Sequence, residues 1–394
     1  MTAIAKKVST AGQTGTLLNF PSDPLGRAKA LAPLIESDAE ETEEHARMTP
    51  RVVQALRDAR LFWMNVPAAL NGEEFDLHTR LDVLEELSRA DASTGWAFMA
   101  IAGYVGYTAI GCGDDAVQML YGDPDNMQLV AGMANPVGTA AVVPGGYQMQ
   151  GQYRFGSGTP HADWIAAGAF IKDGEGAQIC GFVPASAVEF QGNWDVLGLK
   201  GTGSLDYKVP EQFVPEAFTF DAANFVPRRG NASSRMDFFS TAMLYHSSMA
   251  LGIGKRALEE VVKIADSKKT RPGALPIGEQ QLFLHDFNLH EGNLRASRAF
   301  VSETIHEGLH VAERGDPLGE VEKARFRQSC KIAHNMAMAA TEFAYYWGGS
   351  VPLRRPHPLG RCMLDMHALN QHLLVDHNNL VTTADPVMDL YRQI

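Results

Sequence analysis

Cysteine is scarce, and the few residues are scattered. Cys112, Cys180, Cys330 and Cys362 lie far apart and form no C-x-x-C pair. That spacing argues against a disulfide framework or a cysteine zinc site, and it predicts a reducing, cytoplasmic setting. Long apolar runs are also missing: none reaches the roughly 18–20 residues needed to span a bilayer, so no membrane association is expected. Lys6 and Lys7 are followed by no apolar segment of the kind a secretory signal needs, and residues 1–25 read as a disordered leader. Basic residues are outnumbered, 34 Lys and Arg against 46 Asp and Glu, for a net charge of −12. A surface of that sign does not hold nucleic acid, whose phosphates demand clustered cations.

Familiar short motifs are absent too. There is no G-x-x-x-x-G-K-[ST] phosphate loop, no H-E-x-x-H and no G-x-S-x-G. The glycines of Gly198-Leu-Lys-Gly201-Thr-Gly203-Ser204 have the wrong spacing for a dinucleotide fingerprint, and a strand pattern follows them instead of a helix. Such a turn presents backbone amides and hydroxyls to a ligand.

What is present falls into three regions. The 394 residues suffice for several packed units, and 45% of them are hydrophobic. Residues 26–126 read as helical. Ala28 to Leu61 has apolar residues at helical spacing, Pro50 suits a helix start, and Leu81, Leu84, Leu87 and Ala90 recur at threes. From Trp96 to Ile110 the chain is apolar all round, as a helix inside a sizeable protein should be. Tyr104 and Tyr107 on that helix fit a plain core or the lining of a pocket. Over residues 127–235 short alternating runs take over, separated by turns such as Pro144-Gly145-Gly146. They predict an antiparallel β-unit, a barrel or sandwich of six to eight strands. Residues 236–394 are helical again. Met249–Ala265, Gln280–His310, Lys323–Trp347 and a last helix from Gly360 to about Asp376 predict a four-helix bundle. The fold class is therefore α+β with three regions.

Two places carry candidate chemistry. Phe155-Gly-Ser157-Gly158-Thr159-Pro160-His161 supplies small residues and hydroxyls at a strand end, where a flat cofactor can approach the backbone. The last helix carries Asp365, His367, His372 and Asp376. His367 and His372, five apart, project about 140° apart and do not form a same-face metal pair, so no metal is expected. His372 fits either a catalyst oriented by a carboxylate on the same helix face or a structural hydrogen-bonding role.

Taken together, the order of regions and these motifs resemble the acyl-CoA dehydrogenase superfamily. The likeness spans about Ala30 to Val375. It rests on Asn65-Val-Pro67 with Gly72, on Glu85-Glu-Leu-Ser-Arg-Ala-Asp91-Ala-Ser-Thr-Gly-Trp96, and on Trp194-Asp-Val-Leu-Gly-Leu-Lys-Gly-Thr-Gly-Ser204. Phe213-Val-Pro215, Gly348-Gly349 and Pro358-Leu-Gly-Arg361 to His372 complete it. In dehydrogenases of this superfamily a glutamate near the C-terminus removes the substrate proton. Here Gln371-His372-Leu373 occupies that stretch, so the chain looks like the two-component flavin monooxygenases of the fold.

The resemblance implies reduced FMN or FAD delivered by a separate flavin reductase, reaction with O2, and oxygen transfer through a C4a-hydroperoxyflavin to a small aromatic, polyketide-like or amino-sugar substrate. It implies catalytic roles for His372 and Ser157, and flavin contacts from Ser157, Gly158, Thr159, Trp164, Thr202, Gly203 and Ser204. Arg271 stands where a basic residue meets the flavin phosphate, often of a neighbouring subunit. Trp96, Tyr104, Tyr107 and His367 are expected at the substrate, and the assembly is expected to be a homotetramer. Two positions depart from the branch. Tyr104 stands where phenol hydroxylases keep a substrate-binding histidine. Leu364 replaces the arginine that usually precedes Asp365, which predicts either an Asp365 free to contact His367 or weakened flavin binding. A dehydrogenase-like flavoenzyme and a flavin-binding scaffold without turnover remain as alternative readings.

Overall fold

The computed structural model describes residues 20–392 except 222 and 270. Most of the expected leader lies outside the described residues, and Pro24 already opens a helix. The helical first region comprises α1 (Pro24–Glu44), α2 (Pro50–Asp58), α3 (Leu77–Ala90), α4 (Ala92–Gly111) and α5 (Asp114–Tyr121). Each long helix starts on a side chain that takes up an orphan backbone N–H: Asp23 accepts from Gly26, Thr49 from Val52, Asp76 from Thr79 and Asp91 from Thr94. Pro24 and Pro50 occupy first-turn positions, where a missing N–H costs nothing. In α4 nearly every residue is buried, which explains its lack of charge.

Seven strands follow: β1 (Val130–Val143), β2 (Gly146–Gly156), β3 (Trp164–Ile171), β4 (Gln178–Pro184), β5 (Glu189–Gln191), β6 (Leu205–Pro215) and β7 (Thr219–Phe220). They form one open sheet in the order β5-β6-β2-β1-β3-β4-β7. This corrects the expected antiparallel barrel or sandwich: the sheet is not closed, and β1 pairs with β3 in parallel, Val130 opposite Trp164. The cause is local. β1 and β2 form a hairpin, with Val143 opposite Gly146, so β2 ends beside the start of β1. The short stretch from Ser157 to Asp163 then crosses the end of β1 and enters β3 alongside it. Asp163 and Trp164 both donate backbone N–H to Leu129 O during that crossing. The crossover is what brings Ser157 to the end of the sheet, against α4.

The last region contains α6 (Phe238–Ala265), α7 (Gln281–Glu313), α8 (Glu320–Gly348), α9 (Pro358–Leu369), α10 (Asn378–Thr382) and α11 (Ala384–Arg392). α6 is the central element and packs on α3, α8 and α9. The last bundle helix is shorter than its sequence pattern suggests. It stops at Leu369, Asn370 caps it, and His372 is extended at φ −72° and ψ 139°. The His372 ring accepts a hydrogen bond from Leu374 N and so starts a separate short turn. The helical argument that set a carboxylate on one face with His372 therefore fails. No helix among the described residues is long and apolar enough to cross a membrane.

Candidate active site

At the end of the sheet four side chains form a hydrogen-bonded string. Trp96 Nε1 donates to Ser157 Oγ at 2.7 Å, Ser157 Oγ lies 2.7 Å from Ser204 Oγ, and Ser204 Oγ lies 2.7 Å from Thr202 Oγ1. Thr202 Oγ1 in turn donates to the carbonyl of Leu199 at 2.9 Å. That last bond fixes the direction of the rest. With its proton on Leu199 O, Thr202 must accept from Ser204, and Ser204 must accept from Ser157. Ser157 then has its own proton committed and keeps a lone pair free, so toward a ligand it acts as an acceptor.

The two turns that carry these hydroxyls are bound to each other. Gly158 N–H donates to Thr202 O at 3.0 Å, and Thr159 Oγ1 donates to Gly156 O at 2.7 Å. Gly158 and Gly203 have φ of +75° and +58°, and Gly203 packs on the Pro160 ring. Gly158 N–H, Thr159 Oγ1 and the Gly203 carbonyl, which accepts from Leu205 N, are thus engaged within the protein. Leu199 is left-handed as well, at φ 55°. Its N–H donates to Asp365 Oδ1 at 2.6 Å, which joins the cradle to α9. Asp365 therefore contacts Leu199, contrary to the expected partner His367, which sits on the exposed face of α9. Burial beside Asp91 raises the Asp365 carboxyl to about 8, against the opposing pull of the Leu199 N–H and Arg361. Arg361, one turn before Asp365, supplies the positive charge that Leu364 lacks, with its Nε 3.5 Å from the wholly buried Asp91 carboxylate.

Beside the string lies a group of aromatic and imidazole rings. The His372 ring centre is 5.4 Å from that of Trp96 and 4.4 Å from that of His246, and His246 is 6.0 Å from His334. His334 Nδ1 is 2.8 Å from Asn370 Oδ1, so it carries the proton there and leaves Nε2 bare. Burial holds all three rings neutral: it lowers His372 and His334 to about 4, and it lowers His246, which also faces those two rings, well below the ordinary histidine range. Because His372 accepts at Nδ1 from Leu374, its neutral ring carries hydrogen at Nε2 and is a donor.

The other expected site residues are dispersed. Tyr104, about two turns along α4 from Trp96, is partly open, and its hydroxyl accepts from Ala134 N at 2.6 Å. Tyr107 is core, packed among Phe220, Phe225 and Phe238. Trp164 stacks on Phe218 with ring centres 4.9 Å apart. Arg271 is exposed in the connection between α6 and α7. His334 and its anchor Asn370 were not read as site residues from the sequence, since α6 and α8 meet α9 only in the folded chain.

Does this cradle suit a flavin? Next to Ser157 and Leu199, the apolar side chains of Phe155 and Leu197 are 60% and 81% exposed, and Leu373 beside His372 is 68% exposed. Uncovered apolar groups around a row of hydroxyls fit a flat, heteroatom-edged ring system.

Two family models match the chain, the acyl-CoA dehydrogenase N-terminal domain over residues 28–122 and the acyl-CoA dehydrogenase C-terminal domain over residues 244–377. The chain belongs to the acyl-CoA dehydrogenase superfamily. Within this superfamily it lies in the two-component flavin-dependent monooxygenase branch. It is 27% identical over 335 residues to an indole-3-acetate monooxygenase of Pseudomonas putida, covering 84% of this chain and 85% of that protein. It is 26% identical over 371 residues to the oxygenase component of a FADH2-dependent resorcinol hydroxylase of a Rhizobium species, covering 89% and 90%. Among solved acyl-CoA dehydrogenase-fold structures, XiaF from a Streptomyces species, in complex with FADH2 and glycerol, superposes with a TM-score of 0.85 at 21% identity over 93% of this chain and 95% of that one. The dibenzothiophene monooxygenase TdsC of a Paenibacillus species, with FMN and indole, gives 0.79 at 19% identity over 94% and 97%.

Proposed function

We propose that the chain is the oxygenase component of a two-component system that hydroxylates a small aromatic molecule with O2 and reduced flavin from a separate reductase. The balance is one substrate, O2 and reduced flavin giving hydroxylated substrate, water and oxidised flavin. When bound, reduced flavin supplies the two electrons for that conversion.

The observation that carries this reading is the direction of the hydroxyl string. It leaves Ser157 Oγ as an acceptor, suited to the N–H at N5 that only the reduced ring bears. Thr202 and Ser204 hold Ser157 in that state, and the Trp96 indole closes the string from α4. His372 keeps a proton at Nε2, ready to donate to oxygen at the substrate side. Its neutral ring also avoids a buried charge. Asp365 does not take its place as a base: it is engaged by Leu199 and, with its carboxyl raised to about 8, is largely protonated at neutral pH. That weighs against proton removal from a thioester, the dehydrogenase reading. Exposed Arg271 suits a flavin phosphate held from a neighbouring subunit. A homotetramer is the proposed assembly, supported by exposed Leu282, Leu284 and Leu289 on α7 and Tyr346 on α8.

The test supplies photoreduced FMN or FAD and O2 with indole-3-acetate or resorcinol as probes, and measures hydroxylated product against released hydrogen peroxide. His372→Ala should bind flavin as the parent does and divert most O2 to peroxide. An unchanged product yield would remove His372 from the reaction. Reduction of bound oxidised flavin by an acyl-CoA, with no oxygenated product, would favour a dehydrogenase.

A further inference from the structure

α4 contains four glycines, and three are explained by crowding. A methyl group on Gly95 would meet Ser88 Oγ at 2.3 Å, on Gly106 it would meet Asn65 Cβ at 2.4 Å, and on Gly111 it would meet the Phe225 ring at 2.7 Å. Gly103 is different. A methyl there would touch only Tyr245 Cε2, at 3.9 Å. Glycine in a helix interior is unfavourable, so a glycine facing space needs another reason.

The neighbours of Gly103 along the helix are also less than fully buried. Nearly all of α4 is buried, yet Trp96, Ala100, Gly103 and Tyr104 are partly open. At about 100° per residue, 96, 100 and 103 share one stripe and 104 flanks it. The same stripe begins at the ring that meets Ser157 and His372 and ends at Tyr107, which the cluster of Phe220, Phe225 and Phe238 closes off. The stripe lies between elements and not on the outer surface: the Tyr104 hydroxyl meets Ala134 of β1, Gly103 faces Tyr245 of α6, and Trp96 stands edge-on to His246 of α6. From Trp96 to Gly103 the helix rises roughly 10 Å, at about 1.5 Å per residue. That is the length of a fused two-ring aromatic. At its far end the Tyr104 oxygen already accepts from Ala134 N, so its own proton is free for an acceptor on the ligand.

We propose that Gly103, with Ala100, is the specificity-determining floor of the substrate chamber, leaving room for the second ring of a fused bicyclic aromatic that bears an oxygen acceptor. This rests on the monooxygenase reading above, since that reading puts an aromatic substrate next to Trp96.

Equilibrium dialysis of indole-3-acetate and of resorcinol, with and without FMN, tests it in the parent, in Gly103→Ala and in Gly103→Leu. The parent should bind the two-ring probe about tenfold more tightly than the one-ring probe, as expected for extra buried apolar carbon. Gly103→Leu should abolish that preference, lowering affinity for indole-3-acetate about tenfold with resorcinol and FMN affinities unchanged. Gly103→Ala fits the space and removes a helix glycine, so its melting temperature should rise while indole-3-acetate binding weakens less, in the same direction. It therefore carries the test if the leucine variant fails to fold. Absence of any preference in the parent, or equal changes for both probes in the variants, would overturn the proposal. Failure to bind FMN with the ring-size pattern intact would count against the flavin reading alone.

Discussion

Replacing His334 by Gln should change how stability depends on pH by close to one proton. His334 is fully buried between α8 and the end of α9, facing His246, Asn370 and, along its own helix, Lys331. Burial and the Lys331 charge lower it to about 4, against the hydrogen bond to Asn370 that favours the charged ring. In the unfolded chain a histidine titrates near 6.5. Between those values the unfolded state binds a proton that the native state refuses, so native stability falls as the solution is acidified through 6.5 toward 4. From pH 7.5 to 5.5 the integrated loss for one such group is about 1.3 kcal/mol. Gln keeps an amide able to donate to Asn370 and cannot titrate. Whatever gap separates parent and variant at pH 7.5, it should therefore shift by about 1.3 kcal/mol in favour of the variant at pH 5.5. Other groups that titrate in this range, including Asp365, are common to both proteins and cancel. Urea unfolding at pH 7.5, 6.5 and 5.5 measures the difference. A gap that does not move with pH means His334 titrates as an ordinary histidine, and a gap moving the other way means it is charged in the fold. Either result refutes the account of a neutral histidine cluster.

Asp365 offers a second check. With its carboxyl raised to about 8 it is largely protonated at neutral pH, so Asp365→Asn, which still offers an oxygen to Leu199 N, should shift stability by less than about 0.5 kcal/mol. Asp365→Ala orphans that buried N–H and should cost about 1–3 kcal/mol in the same unfolding assay; equal effects would mean the carboxylate is charged and paired. Trp96→Phe removes the only N–H that holds Ser157 from α4, and should weaken FMN binding severalfold in a fluorescence titration while the chain remains folded. Unaltered affinity would separate the hydroxyl string from the flavin.

The three-region order was legible because composition and periodicity change where the elements do: charge-poor α4, alternating strands, then long amphipathic helices. The parallel pairing of β1 and β3 was not, since a hairpin separates them in sequence and the alternating pattern is the same for either direction. Ser157, Thr202 and Ser204 were legible as hydroxyl-bearing turns, but their direction of donation depends on Leu199 O, a backbone atom with no sequence signature. His372 was singled out from its neighbours in the matched stretch, while its helical setting was misread. The apolar and polar spacing past Leu369 continues a helix on paper, and the turn at Asn370 is fixed by a contact with His334 from another helix. Arg361 was within reach: a basic residue one turn before Asp365 could have been weighed against Leu364 as the charge partner.

Leu199 has a further consequence. Its N–H holds Asp365 and its carbonyl holds Thr202, both through main-chain atoms and in a left-handed conformation. The clamp between the proposed flavin cradle and the helix leading to His372 therefore contains nothing that truncating the side chain at 199 deletes. An alanine at 199 would register the loss of a buried side chain and leave both of these bonds in place. From the Leu199 side, it takes a change to the backbone itself, such as an ester in place of the 198–199 amide or a one-residue deletion in the turn, to expose how much of the site hangs on it.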